Sequence, residues 1–122
     1  MSNKSKPCIA FDMENLSDAM DHVECDIIEK YGDECNGKYL HTWDDGERFL
    51  CRCRNCGGYI LVQRSEFHSA VGDDSYYVDF FPVSGSDEAK ELNKLYNGFE
   101  IEQNFPQKYI ISTNGHFSWY GK

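Results

Sequence analysis

Apolar residues at Leu16, Met20, Val23, Ile27 and Tyr31 recur at steps of three and four, the spacing that lines one side of an α-helix. The pattern predicts a helix that opens on a cap at Asn15 or Ser17 and stops at Gly32. On the opposite side Asp18, His22, Cys25 and Glu29 fall at the same spacings, which sets a cysteine where the helix should meet water. That second stripe is open to three readings: half of a metal site, a contact surface, or an ordinary solvated face. Residues 1–8 show no periodicity and read as a flexible tail, with the folded domain running from 9 to 122.

Beyond a polar turn at 33–37 the period changes to that of strands. Tyr39 to Trp43, Arg48 to Cys53 and Tyr59 to Gln63 read as strands, the first two joined through Asp44-Asp45-Gly46. Ser75 to Phe81 is a further strand, with Pro82 as its stop. A helix follows from a cap at Ser86 through Ala89, Leu92 and Leu95 to Gly98, with Asp87 and Glu88 where its dipole favours negative charge. A short strand is expected around Phe99 to Ile101. Asn114-Gly115, between Tyr109-Ile110-Ile111-Ser112 and Phe117-Ser118-Trp119-Tyr120, signals a type I′ hairpin. Short connections throughout argue for an α+β fold, a single domain with an antiparallel sheet of five to six strands and two helices.

The 122 residues carry 21 acidic and 12 basic side chains, for a net charge of −9. The charge is unevenly spread: residues 1–34 sum to −6, residues 35–70 to +1 and residues 71–122 to −4. A surface this acidic repels phosphates and steers toward cationic proteins, although acidity that merely keeps a chain soluble is the bland alternative. No apolar run is long enough to span a bilayer, and the polar start lacks a signal peptide's apolar stretch, so a cytoplasmic protein without membrane contact is expected. In that compartment six cysteines are reduced thiols or metal ligands rather than a disulfide framework.

The sharpest local chemistry is Cys51-Arg52-Cys53-Arg54-Asn55-Cys56-Gly57-Gly58, at the tip of a hairpin spanning 48–63. Two residues between Cys53 and Cys56 let both thiolates reach one tetrahedral ion, and the glycines free the backbone to turn its amides toward the sulfurs. Residues 53–58 resemble one knuckle of a zinc ribbon, although the second Cys-x-x-Cys of that pattern is missing. The remaining ligands of a structural Zn2+ must come from Cys51, Cys35, His41, Cys25, His22 or His68. Cys35, eighteen positions before Cys53, and His41, opposite Leu50 in the expected hairpin, rank first. Buried reduced cysteines acting as small hydrophobes are the alternative.

No His-Glu-x-x-His helix, Gly-x-Ser-x-Gly elbow or phosphate-binding glycine loop occurs, and Cys53-x-x-Cys56 leads into a strand rather than a helix N-terminus as a redox motif would. A non-enzymatic role is therefore expected. Small, acidic, single-domain chains without a catalytic motif resemble, in type, the bacterial immunity proteins that neutralise nuclease toxins. The resemblance implies a basic toxin domain as partner, bound through Asp18, Asp21, Glu24 and Glu29 and through Asp73, Asp74 and Asp79. The alternative is a zinc-ribbon-like regulator that contacts nucleic acid or the transcription or translation machinery through Arg52 and Arg54, against which stands internal pairing of Arg48, Arg52, Arg54 and Arg64 with carboxylates.

Overall fold

The computed structural model describes residues 6–31, 45–67, 75–96 and 100–121. Among these residues six strands form one antiparallel sheet in which spatial order equals chain order: β1 (Cys25–Tyr31), β2 (Asp45–Cys53), β3 (Tyr59–Phe67), β4 (Ser75–Val83), β5 (Tyr109–Thr113) and β6 (His116–Tyr120). Helices α1 (Leu16–His22), α2 (Ser86–Leu95) and α3 (Glu100–Asn104) complete an α+β fold, with a 3₁₀ turn over Ile9–Asp12. Among the described residues no helix is long and apolar enough to cross a membrane.

Period-2 alternation along the central strands sends apolar side chains to both faces, so the sheet is covered twice. On one face Phe49, Cys51, Cys53, Ile60, Val62 and Ile110 pack beneath Cys8, Ala10, Phe11 and Ala19 of the N-terminal segment. On the other, Leu50, Leu61, Phe81 and Ile111 pack against Ala89 and Leu92 of α2 and Ile101 of α3. Phe81 anchors this second core, its ring 5.0 Å from those of both Phe105 and Tyr109.

The first helix is shorter than its periodicity suggests. It opens on Asn15, whose Oδ1 accepts from the Asp18 amide at 2.9 Å, and ends at His22, with Val23 already extended. Cys25 to Tyr31 is strand β1, not helix, because Val23, Ile27 and Tyr31 are four apart and satisfy a period of two as well as one of 3.6. The β-branched Val23 and Ile27 and the aromatic Tyr31 decide for the strand. The N-terminal stretch is not a loose tail from Lys6 onward: Tyr59 N donates to Lys6 O at 2.9 Å, Cys8 N donates to Tyr59 O at 3.2 Å, and Cys8 is 1% exposed.

Three further expectations change. β4 continues through Pro82 to Val83, since Pro82 lies past the last β4–β5 pair, Phe80 with Ile110, and its missing N–H costs that side no ladder bond. Gly85, not Ser86, caps α2, and the Glu88 carboxylate reaches back to accept from the Ser84 amide at 2.6 Å. The segment expected as a short strand up to Ile101 is instead helix α3 from Glu100. The terminal hairpin forms as expected, with Asn114 at φ 51° and Gly115 at φ 90°, the two positive values a type I′ turn requires. The expected strand Tyr39–Trp43, and with it Cys35, His41, His68, Asp73 and Asp74, lies outside the described residues.

Candidate metal centre

The hairpin β2–β3 carries the knuckle at its tip. Cys53 closes β2, its amide donating to Gly58 O at 2.8 Å, while the Gly57 amide donates to Cys53 O at 2.7 Å. Gly57 sits at φ 77°, a left-handed conformation that a side chain resists, and this lets the chain double back after Cys56. The Gly58 amide then points at Cys56 Sγ, 3.4 Å away.

The donors that join Cys53 and Cys56 come from the N-terminal segment. Cys8, immediately before the 3₁₀ turn, and His22, the last residue of α1, each offer a ligand atom that lies with the two knuckle sulfurs inside a mutual separation of 4.8 Å. Cys56 Sγ and Cys8 Sγ are 3.6 Å apart. Two sulfurs on one tetrahedral zinc stand about 3.7 Å apart, as Zn–S bonds of about 2.3 Å require. His22 Nε2 is buried and has no hydrogen-bond partner among the described residues. An unpartnered buried imidazole nitrogen is costly unless something takes its lone pair. A metal ion coordinated by this Cys3His set would do so, and the four residues can hold one.

The electrostatics match that purpose. Burial, the largest influence on Cys53, works against its thiolate, yet hydrogen bonds with the backbone at Glu24, Cys56 and Asn55 and with the Cys8 thiol hold its pKa below the ordinary thiol value. Burial raises the Cys8 thiol far above that range, opposed by a backbone hydrogen bond at Ala10 and reinforced by Cys56 and Cys53. Without a cation Cys53 is therefore favoured as thiolate and Cys8 as thiol, and a divalent ion would remove that conflict between the two. Backbone amides turned onto ligand sulfurs give the support that orients and tunes metal ligands.

Of the expected ligands, Cys53 and Cys56 belong to the cluster, where Cys8 and His22 join them, while Cys35 and His41 lie outside the described residues. Cys51 faces the same side of the sheet as Cys53 but stays outside the cluster, buried beside Cys25, with which it shares a thiol–thiol hydrogen bond. The sequence signal for Cys8 is the second glycine of the knuckle. Gly57 suffices for the turn, so Gly58 marks a close approach, and the backbone of Pro7 and Cys8 makes it.

The carboxylates divide sharply. Asp18, Asp21 and Glu24 are exposed, as are Asp12 and Glu14. Glu29 lies on the α2 side of the sheet, where its Oε1 accepts from Tyr31 Oη and Ser86 Oγ, both at 2.9 Å, and Lys90 Nζ stands 3.7 Å away. Asp79 cannot belong to a binding surface, being 0% exposed in the middle of the sheet. Gln63 Nε2 donates to its Oδ2 at 3.2 Å, and Arg48 Nε donates to Gln63 Oε1 at 2.9 Å, a polar row across three neighbouring strands. Burial, helped by the Glu102 carboxylate, pushes the Asp79 pKa up to about 9 against the pull of Arg48 and Gln63.

The arginines are engaged within the chain. Arg48 is buried, Arg54 pairs with Asp26 at 2.6 Å, Arg64 pairs with Glu47, and Arg52 donates to Gly57 O with its guanidinium 5.9 Å from the Tyr59 ring centre. No known family, curated protein or solved structure matches the chain.

Proposed function

We propose that this is a cytoplasmic, non-enzymatic binding module in which a structural zinc ion clamps an acidic segment and presents it to a basic protein partner. The observation that carries the reading is the composition of that segment: from Pro7 to Glu29 there are seven carboxylates and no lysine or arginine. Cys8 and His22 bracket four of its five exposed carboxylates, so zinc at the Cys3His site would pin both ends of the stretch that holds Asp12, Glu14, Asp18 and Asp21 and would fix Glu24 just beyond it. Four protein donors, with Cys8 and Cys53 each 1% exposed, leave no open coordination position, which suits a structural ion and not a catalytic one. Dense one-sign charge on a fixed frame speeds association with an oppositely charged protein. In its most specific form the partner is a cationic nuclease toxin and the protein its immunity factor.

The test compares affinity capture from the native host at low salt using the wild type and a variant carrying Asp18→Lys, Asp21→Lys and Glu24→Lys. Recovery of a basic protein by the wild type and its loss with the variant, at unchanged zinc content, supports the reading. Equal recovery of the same proteins by both overturns it. Recovery of polymerase or ribosomal components that depends on Arg52 and Arg54 would replace it with the nucleic-acid alternative, which the internal pairing of these arginines disfavours.

A further inference from the structure

The two edges of the sheet differ in chemistry. β1 carries Asp26, Glu29 and Lys30, and its register with β2 shifts between Ile27 and Glu29. Charges and bulges are the devices that keep an edge from pairing with another chain. β6, His116-Phe117-Ser118-Trp119-Tyr120, has neither a Lys, Arg, Asp, Glu or Pro nor a break in its register with β5. Phe117 is 41% and Tyr120 43% exposed, so the strand also shows apolar surface.

Its free backbone groups can be assigned. The two-residue turn Asn114-Gly115 makes Thr113 and His116 a hydrogen-bonded pair, and such pairs alternate along an antiparallel ladder. His116, Ser118 and Tyr120 therefore turn their N–H and C=O toward β5, whereas Phe117 and Trp119 turn theirs outward. The edge adjoins the acidic segment directly. Trp119 Nε1 donates to Glu14 O at 3.2 Å, and α1 runs from there over the sheet to the Cys53–Cys56 turn, with Asp18 and Asp21 exposed along it.

We infer that β6 is a strand-addition site that receives an extended basic segment of the protein partner, paired through the backbone of Phe117 and Trp119. This rests on the proposed acidic binding role and deepens it. Main-chain bonds give such complexes their affinity and alternate side chains their selectivity. A segment alternating cationic and apolar residues would turn the first toward Glu14 and Asp18 on the α1 side, the face of Phe117 and Trp119, and the second toward Tyr120 on the opposite face. A second copy of this chain is the poorer occupant, since β6 against β6 would bring two chains of charge −9 together.

The experiment uses the zinc-loaded full chain and a seven-residue peptide alternating lysine and valine, with a glutamate–valine peptide as control. Amide exchange is followed residue by residue. The lysine–valine peptide should slow the Phe117 and Trp119 amides about tenfold or more, roughly the effect of one hydrogen bond each, while the control leaves them unchanged. Phe117→Pro removes one outward N–H and no bond to β5, and should weaken the peptide about tenfold. Absence of binding, binding that leaves both amides unprotected, unaltered affinity of the Phe117→Pro variant, or a β6-paired dimer in the peptide's absence would each overturn the inference. If the peptide protects β6 but reversing the α1 charges leaves the natural partner bound, the edge stands and the acidic reading falls. The opposite result keeps the acidic reading and removes the edge.

Discussion

A Cβ placed on Gly58 would lie 2.4 Å from Cys8 Cα and 2.5 Å from Cys8 N, so the N-terminal member of the candidate donor set rests directly on the backbone of the knuckle. The contact is backbone against backbone and has no flexible side chain to give way. One residue thus sets how closely the two halves of the donor set can approach.

Gly58→Ala should therefore displace Cys8, whereas a small substituent elsewhere on the hairpin would be absorbed. We expect a loss of about 1–3 kcal/mol in stability, as for other overpacked sites, together with a drop in zinc affinity of tenfold or more. Chemical denaturation and competition with a chromogenic chelator would measure both. Unchanged zinc affinity would contradict the placement of Cys8.

Zinc content should be one ion per chain. Cys8→Ser or His22→Ala should abolish stoichiometric binding, and a strong chelator should lower the wild-type melting temperature by roughly 10 °C or more. Because four donors complete the tetrahedron, Cys35→Ser and His41→Ala should leave the zinc content at one. Elemental analysis of the four variants decides between the two ligand sets.

Stability should fall as pH rises through the range set by Asp79. The folded carboxyl holds its proton to about 9, whereas an unfolded aspartate releases it near 3.8. Between these values the folded chain binds the additional proton, so unfolding becomes easier with each step upward in pH. Arg48, Gln63, Glu102 and Tyr109 surround the group, and the Glu102 carboxylate is the one that disfavours its charge. Asp79→Asn keeps the neutral shape and should flatten the decline between pH 5 and pH 8. Parallel urea midpoints for wild type and variant across that range would refute it.

Cys25 is exposed, and the thiol of Cys51 donates to it and lowers its pKa despite partial burial. Iodoacetamide at neutral pH should label Cys25 ahead of buried Cys51, and chelation should add Cys8, Cys53 and Cys56 to the modified set. Peptide mass mapping before and after chelation gives the order.

Much of the sheet is legible from local chemistry. Short apolar runs mark the strands around Phe49, Ile60 and Ile110, and Asn114-Gly115 fixes the last hairpin without help from the rest of the chain. Two kinds of error have physical causes. Val23, Ile27 and Tyr31 satisfy helical and strand periods at once, so the end of α1 is ambiguous until the sheet claims Cys25 to Tyr31. Asp79 reads as surface acid because its burial depends on Gln63 and Arg48, which reach it only through strand register. The candidate metal donors are half legible: two residues separate Cys53 from Cys56, whereas thirteen separate Cys8 from His22 and thirty separate His22 from Cys53, and no local pattern links such distant groups.

The neighbour-to-neighbour order of the six strands bears on the timing of assembly. Each hairpin can form as soon as its second strand has left the ribosome, since every pairing joins strands adjacent in sequence. Cys8 and His22 are made first but have nothing to close upon until Cys53 to Gly58 emerge. During that interval the acidic stretch travels unanchored, and on the proposed reading capture of an ion, not the laying down of any strand, would complete the binding face.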